Sequence, residues 1–173
     1  ILTAAIGALH AQRQYWFGTY GGATSEDPLF NGGIVRVDSN ALNPEVVLSF
    51  DPLTLNGLAS SSALLKASNG RLYGMSNAAP GVPPFRGQLF WIDPVTDSLH
   101  ITVEFGTAEY PQFAQPQPRS SLLELEPGLL VGHTSGDITP GTIFKYFTAN
   151  DSIVRTLTLP NSVCKAGSAP VSI

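Results

Sequence analysis

Short stretches of alternating apolar and β-branched residues recur along the chain, and segments rich in Gly, Pro, Asn and Asp separate them. No window shows the 3.6-residue spacing of apolar side chains that an amphipathic helix requires. In the middle of the chain the pattern predicts four strands, at residues 63–67, 71–76, 87–93 and 100–105. Between the first two lies Asn69-Gly70, a pair favoured in tight hairpins whose two central residues have positive φ. The pattern therefore predicts an antiparallel, all-β unit.

This unit is repeated along the chain. Residues 62–74 align without a gap with residues 120–132, and Gly18 in the first copy aligns with Gly74 in the second. Three strands begin at glycines spaced 54 residues apart, which are Gly33, Gly87 and Gly141. A four-stranded unit with a period of roughly 40 to 55 residues is typical of a β-propeller blade.

We therefore predict a β-propeller-like fold with about three consecutive four-stranded antiparallel blades, in units of about 12–58, 59–116 and 117–167. The first unit lacks a Leu-Leu strand at its start. Closed propellers typically contain about four to eight blades. The repeat count thus predicts a fragment of a larger propeller, with assembly of a three-unit chain as the alternative.

Residues 1–11 are uncharged and largely apolar, and Gln12-Arg13-Gln14 follows them abruptly. We interpret this segment as the remnant of a signal peptide that lacks its true start, and residues 12–173 as the repeat domain. Spanning a bilayer takes about 20 apolar residues, and no later stretch approaches that length, so no membrane span is predicted. The expected location is secreted or at the cell surface.

The motifs of the repeat resemble a known family. Leu72-Tyr73-Gly74, then Gly87-x-Leu-Phe-x-Ile-Asp93 and Ser120-Ser-Leu-Leu123 are similar to the GloVer tandem repeats of secreted bacterial proteins. Phe17-Gly-Thr-Tyr-Gly-Gly22, followed by Gly33-Ile-Val-Arg-Val-Asp38, and Gly141-Thr-Ile-Phe-Lys145 are also close to that consensus. The resemblance implies an exported propeller-like module. It assigns no catalytic residue.

Charge and motif content exclude several classes of function. The net charge is −4, and the nine Lys and Arg are scattered singly, so no basic surface is predicted for nucleic acid. The single cysteine, Cys164, cannot form an internal disulfide, and no His lies near it in the sequence to activate it. The sequence contains none of the standard zinc, P-loop or nucleophile-elbow motifs. We predict no cofactor, no metal and no catalytic residue.

The long segments between the second and third strands of each unit are the candidate binding region. Loops on a rigid scaffold often carry function, and Tyr20, Phe85 and Asp137 lie in these segments. We predict that they project from one face and bind an extracellular ligand, either a glycan or a protein. Most other aromatic residues are expected in the core. Alternation places Phe90 and Ile92 on one face of a middle unit and Leu89 and Trp91 on the other, with neighbouring units covering both faces.

Two further hypotheses remain open from the sequence. A hydrolytic, polysaccharide-active propeller would need paired carboxylates within about 10 Å. The candidates are Glu26, Asp27, Glu109 and Asp137. A structural spacer would need no ligand at all.

Overall fold

The described part of the chain consists of β-strands, turns and short connections, and it contains no helix. The computed structural model describes residues 15–19, 33–38, 43–49, 59–60, 63–77, 87–109, 117–118, 120–135 and 141–159. The strands are β1 (Tyr15–Thr19), β2 (Gly33–Val37), β3 (Glu45–Ser49), β4 (Ala59–Ser60), β5 (Leu65–Lys66), β6 (Leu72–Asn77), β7 (Gln88–Ile92), β8 (Leu99–Glu104), β9 (Gln117–Pro118), β10 (Leu123–Glu126), β11 (Leu129–Ser135), β12 (Gly141–Phe147) and β13 (Ser152–Leu159). The all-β prediction is confirmed.

These strands form three antiparallel sheets in chain order. Sheet 1 has the order β1-β2-β3. In sheet 2, β4 and β5 both pair with β6, which is followed by β7 and β8. In sheet 3, β9 and β10 both pair with β11, which is followed by β12 and β13. The first strand of a unit is therefore two short segments against one long partner, and none of the three sheets closes on itself.

The turn after β5 differs from the two-residue hairpin that Asn69-Gly70 predicted. Gly70 has a φ of 84°, but Asn69 is not in the positive-φ region. The amide of Gly70 donates to the Ala67 carbonyl at 2.9 Å, and the amide of Ala67 donates to the Arg71 carbonyl at 3.0 Å. The loop is thus three residues long with a left-handed glycine at its end, so only glycine's conformational freedom was needed.

Sheet 2 is packed on both faces, as the alternation of its residues predicted. On one face Tyr73, Met75 and Leu89 join Phe144 and Tyr146 of sheet 3 in a buried core. On the other face Leu72, Phe90 and Ile92 cluster with Ile34 of sheet 1. A sheet buried on both sides needs apolar residues at consecutive positions, which explains the run Leu89-Phe90-Trp91-Ile92.

A β-bulge recurs between the last two strands of every sheet and defines the register of the repeat. The bulge leaves one residue unmatched in each sheet, Val47, Thr102 or Thr156. In sheets 2 and 3 the threonine hydroxyl at the bulge donates to a backbone carbonyl of the neighbouring strand, that of Leu89 at 3.2 Å or that of Ile143 at 2.9 Å. Bulges of this kind are persistent features that fix pairing.

The bulge also corrects the sequence alignment of the first unit. It makes Ile34 equivalent to Leu89 and Ile143, and it makes Gly33 equivalent to Gln88 rather than Gly87. Gly18 pairs with Ile34 and so corresponds to Met75, not to Gly74 as the sequence alignment predicted. A shift of one residue moves a side chain to the opposite face of a sheet. The corrected register agrees with the packing, since Ile34 faces sheet 2.

Sheet 2 and sheet 3 each contain the same packing arrangement of a leucine, a glycine and a phenylalanine. A Cβ on Gly74 would lie 2.5 Å from Cζ of Phe90 and 2.9 Å from Cδ2 of Leu64. A Cβ on Gly132 would overlap the Phe144 ring and lie 2.8 Å from Cδ2 of Leu122. Each glycine therefore makes room for an aromatic ring that lies flat across its own sheet, which explains the Leu, Gly and Phe positions shared by the two units.

Candidate functional site

A row of mostly polar residues, here called the polar rung, crosses each sheet at the edge from which the long connections leave. In sheet 2 it is formed by Ser60, Ser76, Gln88 and Glu104, which lie opposite one another on neighbouring strands. The same rung in sheet 3 consists of Pro118, Thr134, Thr142 and Thr158, and in sheet 1 it consists of Thr19, Gly33 and Ser49. We call this side of the three sheets the loop edge.

The loop edge is set by topology. Strands β1, β6 and β11 end there, and their partners β2, β7 and β12 begin there. The three connections that contain the predicted binding residues therefore all start and finish at this edge. Tyr20, Phe85 and Asp137 themselves lie outside the described residues, so the prediction that their side chains share one face stays a prediction.

The rung of sheet 2 contains two buried polar atoms that lack a hydrogen-bond partner. Ser76 is 0% exposed and Gln88 is 2% exposed. Nε2 of Gln88 donates to Oε1 of Glu104 at 3.0 Å, whereas Ser76 Oγ and Gln88 Oε1 have no partner among the described residues. Buried polar groups are almost always hydrogen-bonded, and ordered water supplies partners that the protein does not. This rung can therefore accept a water molecule or a polar ligand group.

In the equivalent rung of sheet 3, the two buried hydroxyls are hydrogen-bonded to each other. The hydroxyls of Thr134 and Thr142 lie 2.6 Å apart, and both side chains are buried. Next to them, the hydroxyl of Ser120 donates to the His133 carbonyl at 3.2 Å. The two threonine hydroxyls of sheet 3 thus hydrogen-bond to each other, whereas Ser76 Oγ and Gln88 Oε1 at the equivalent positions of sheet 2 have no partner among the described residues.

The loop edge also brings neighbouring sheets close together. A Cβ on Gly87, at the start of β7, would overlap the ring of Pro118 in β9 of sheet 3 and would lie 2.7 Å from the Ser76 carbonyl oxygen. Only a glycine fits this contact. The first strand of sheet 3 therefore passes directly beside the residue at which the β6–β7 connection returns to sheet 2.

Among the described residues, the candidate carboxylates of a hydrolase do not form a pair. Glu109 is exposed and lies beyond the end of β8, while Glu26, Asp27 and Asp137 lie outside the described residues. Within the described ranges no group of three His, Cys, Asp or Glu side chains is arranged to hold a metal ion. His133 lies beside the rung, and burial lowers the pKa of its imidazole.

The opposite edge carries the acidic turns, which act as turn residues. The Asp93 carboxylate accepts the amide of Val95 at 2.8 Å, and Asp97 and Asp151 occupy equivalent left-handed positions with φ of 57° and 52°. Asp and Asn tolerate this conformation and cap such bends through their side chains. These aspartates therefore serve the geometry of the turns.

A stack of Arg71, Trp91 and His100 lies near that edge, and the sequence pattern did not predict it. The Trp91 ring stacks on His100 with centroids 3.9 Å apart, and the Arg71 guanidinium lies 3.7 Å from the centroid of Trp91. Trp91 and His100 lie on neighbouring strands and Arg71 immediately precedes β6, so only the pairing register could have revealed the three together. Trp91 also packs against the core between sheets 2 and 3, which gives the stack a structural role.

The comparisons with known proteins add little to this picture. No family model and no curated protein matches the chain. Among solved structures, TolB from Acinetobacter baumannii is similar at 12% identity and a TM-score of 0.49, over 84% of this chain and 30% of TolB. A puromycin-hydrolyzing peptidase of Mycobacterium tuberculosis is similar at 14% identity and a TM-score of 0.46, over 72% of this chain and 17% of the peptidase.

The chain spans less than a third of the length of either structure. At these identities and TM-scores the likenesses carry no argument about architecture or activity. No helix in the described ranges is long and apolar enough to cross a membrane.

Proposed function

We propose that this chain is an exported β-propeller-like repeat module that binds an extracellular ligand at its loop edge without catalysis. Three sheets that follow one another in the chain and pack face to face support the propeller architecture. The apolar segment at residues 1–11 and the resemblance to GloVer repeats support export. The proposed ligand is a glycan, with a protein as the second possibility.

One observation is the main support for this binding site. All three long connections leave from the edge where each sheet ends in a polar rung, and the rungs of sheets 2 and 3 are held by a buried core. A rigid base of this kind keeps ordering costs low when loops bind a ligand. Tyr20 and Phe85 would supply stacking surfaces and Asp137 a hydrogen-bond acceptor, which suits a sugar with apolar faces and hydroxyl edges.

The test is affinity electrophoresis of the purified chain in gels containing dextran, laminarin or xylan. We expect retardation by at least one glycan, and a tenfold or greater loss of affinity in the triple variant Tyr20→Ala, Phe85→Ala, Asp137→Ala. Phe147→Ala is the matched control, because Phe147 is an exposed aromatic at the opposite end of β12. The control variant should bind like the original chain.

Two results would overturn this function. Equal retardation of the triple variant and the original chain would place any binding elsewhere. Release of new reducing ends from a glycan that requires Glu109 or Asp137 would favour the hydrolytic alternative.

A further inference from the structure

The two unpartnered atoms in the polar rung of sheet 2 have complementary hydrogen-bonding needs. Nε2 of Gln88 already donates to Glu104, so the remaining polar atom of the amide, Oε1, can only accept a hydrogen bond. The hydroxyl of Ser76 has a proton to donate. Neither Ser76 Oγ nor Gln88 Oε1 has a partner among the described residues. One hydroxyl group between them would satisfy both, because it can accept from Ser76 and donate to Gln88.

Charged groups fit these two atoms less well than a neutral hydroxyl. A metal cation would bind the oxygen lone pairs but would leave the Ser76 proton without an acceptor. An anion would accept from Ser76, but it would face the lone pairs of Gln88 Oε1 and the neighbouring carboxylate of Glu104. The hydrogen-bonding pattern therefore favours an alcohol as the ligand group.

An aromatic ring borders the rung on its inner side. Gln88 and Phe90 are two residues apart on β7, so their side chains lie on the same face of sheet 2. The Phe90 ring lies across Gly74, which is two residues before Ser76 on β6. A group that enters the rung thus meets polar atoms beside an apolar ring, which suits a hydroxyl carried by a CH₂ group.

Burial restricts the shape of the ligand group further. Ser76 and Gln88 are 0% and 2% exposed, whereas Glu104, on the next strand of the rung, is only partly buried. A hydroxyl attached directly to a sugar ring stays close to the bulk of that ring. The hydroxymethyl group of a hexose extends one carbon further and is narrow, so it is the sugar hydroxyl best able to reach buried atoms.

The third unit shows that the repeat can fill this position without unmet hydrogen bonds. The hydroxyls of Thr134 and Thr142, at the positions equivalent to Ser76 and Gln88, lie 2.6 Å apart. The second unit instead keeps two buried polar atoms unpartnered, which costs stability. Such exceptions in a folded protein are typical of functional sites.

We propose that Ser76 and Gln88 form a subsite for the hydroxymethyl group of a hexose and thereby select the glycans that bind at the loop edge. The inference rests on the proposed glycan-binding function. It specifies the ligand class as glycans whose hexose units carry a free primary hydroxyl.

The three glycans of the affinity gels distinguish this class. Most glucose units of laminarin carry a free hydroxymethyl group. Dextran uses that position for its main linkage, and the pentose units of xylan lack the group. We therefore expect laminarin to retard the original chain more strongly than dextran or xylan does.

Two variants test the subsite itself. Ser76→Ala should weaken laminarin binding about tenfold, because one hydrogen bond to the ligand is lost. The double variant Ser76→Thr, Gln88→Thr copies the Thr134–Thr142 pair, so it should remain folded in urea titrations and lose at least as much affinity. Ser98→Ala is the matched control, since Ser98 is an exposed serine in the β7–β8 turn at the opposite edge. It should bind laminarin like the original chain.

Laminarin binding that survives both Ser76→Ala and the double variant would overturn the subsite, and so would equal retardation in the xylan or dextran gels. In either case, loss of binding in the Tyr20→Ala, Phe85→Ala, Asp137→Ala variant would still support glycan binding at the loop edge. Absence of retardation in all three gels would overturn the proposed function and this inference together.

Discussion

The interface between sheets 2 and 3 buries large aromatic side chains, whereas the interface between sheets 1 and 2 combines a smaller apolar cluster with partly exposed residues. In the first, the rings of Tyr73 and Tyr146 meet edge to face at 5.9 Å, and those of Phe105 and Phe144 lie 5.5 Å apart. In the second, Trp16 and Leu48 remain only partly buried around Ile34. Stability should therefore be concentrated between sheets 2 and 3.

Polar contacts across the two interfaces differ in the same way. Glu124 of sheet 3 accepts hydrogen bonds from the amide and hydroxyl of Ser68 in sheet 2, at 2.8 and 2.7 Å, and from the amide of Gly128 at 3.0 Å. Between sheets 1 and 2, Arg36 pairs with Asp97 at 2.8 Å, and also with Glu45 at 2.7 Å within its own sheet. Glu124 thus holds two backbone amides, whereas the contacts of Arg36 join side-chain ends only.

The sharpest test of the comparison uses two phenylalanines at equivalent positions. Phe144→Ala should cost about 3–5 kcal/mol of unfolding free energy, because the ring is fully buried among rigid neighbours. Phe90→Ala should cost less, since the partly exposed residues beside it can relax into the space. Urea unfolding measures both values, and Phe147→Ala should change stability by less than about 1 kcal/mol. Equal costs for Phe144→Ala and Phe90→Ala would contradict the ranking of the interfaces.

The next largest effect concerns the glycine beneath the Phe144 ring. Gly132→Ala should destabilise the chain by about 1–3 kcal/mol, because the added methyl group overlaps the ring and the Leu122 side chain. In the double variant Gly132→Ala, Phe144→Leu the combined loss should be smaller than the sum of the single losses. Additive losses, measured by a double-mutant cycle in urea, would show that the overlap is relieved elsewhere.

The polar rungs provide a test in which the two interfaces should respond differently. Thr134→Val should cost about 1–3 kcal/mol, because it leaves the buried Thr142 hydroxyl without its partner. Ser76→Ala removes a hydroxyl that has no partner, so its effect on unfolding free energy should be near zero or slightly stabilising. A clear loss of stability in Ser76→Ala would instead indicate an ordered water bound at Ser76 and Gln88.

The sequence predicted much of the middle unit because its strands are long enough to show alternation. Strands β6, β7 and β8 lie within one residue of the predicted ranges at every end, and the two-sided burial of Phe90 and Leu89 follows from the same alternation. The segments β4 and β9 are two residues long and have no period to detect. An alternation with a period of two residues can be recognised only in a segment longer than two residues.

The register of the first unit could not be read from its glycines. Gly18 and Gly33 resemble Gly74 and Gly87 in the sequence, yet the bulge at Val47 places each of them one position away from that match. Bulge position depends on packing against the neighbouring sheet, which no local pattern reports. The binding residues remain a prediction for a related reason, since Tyr20, Phe85 and Asp137 lie in connections without regular alternation and outside the described residues.

The smallest expected effects separate the polar contacts of the two interfaces by their pH dependence. Burial opposes ionisation of Glu124, but hydrogen bonds from Gly128 and Ser68 outweigh it and hold the pKa of this carboxyl below its ordinary value of 4.5. A lowered folded pKa gives stability that is complete above the ordinary pKa and is lost as pH falls through the folded pKa. Glu124→Gln should therefore cost about 1 kcal/mol near neutral pH and progressively less below about pH 4.

Arg36→Met should cost under about 1 kcal/mol, because Glu45 and Asp97 are 62% and 35% exposed. Urea unfolding between about pH 3 and pH 7 measures both, and a Glu124→Gln loss that persists undiminished in acid would show that geometry, not the carboxylate charge, holds Ser68 in place.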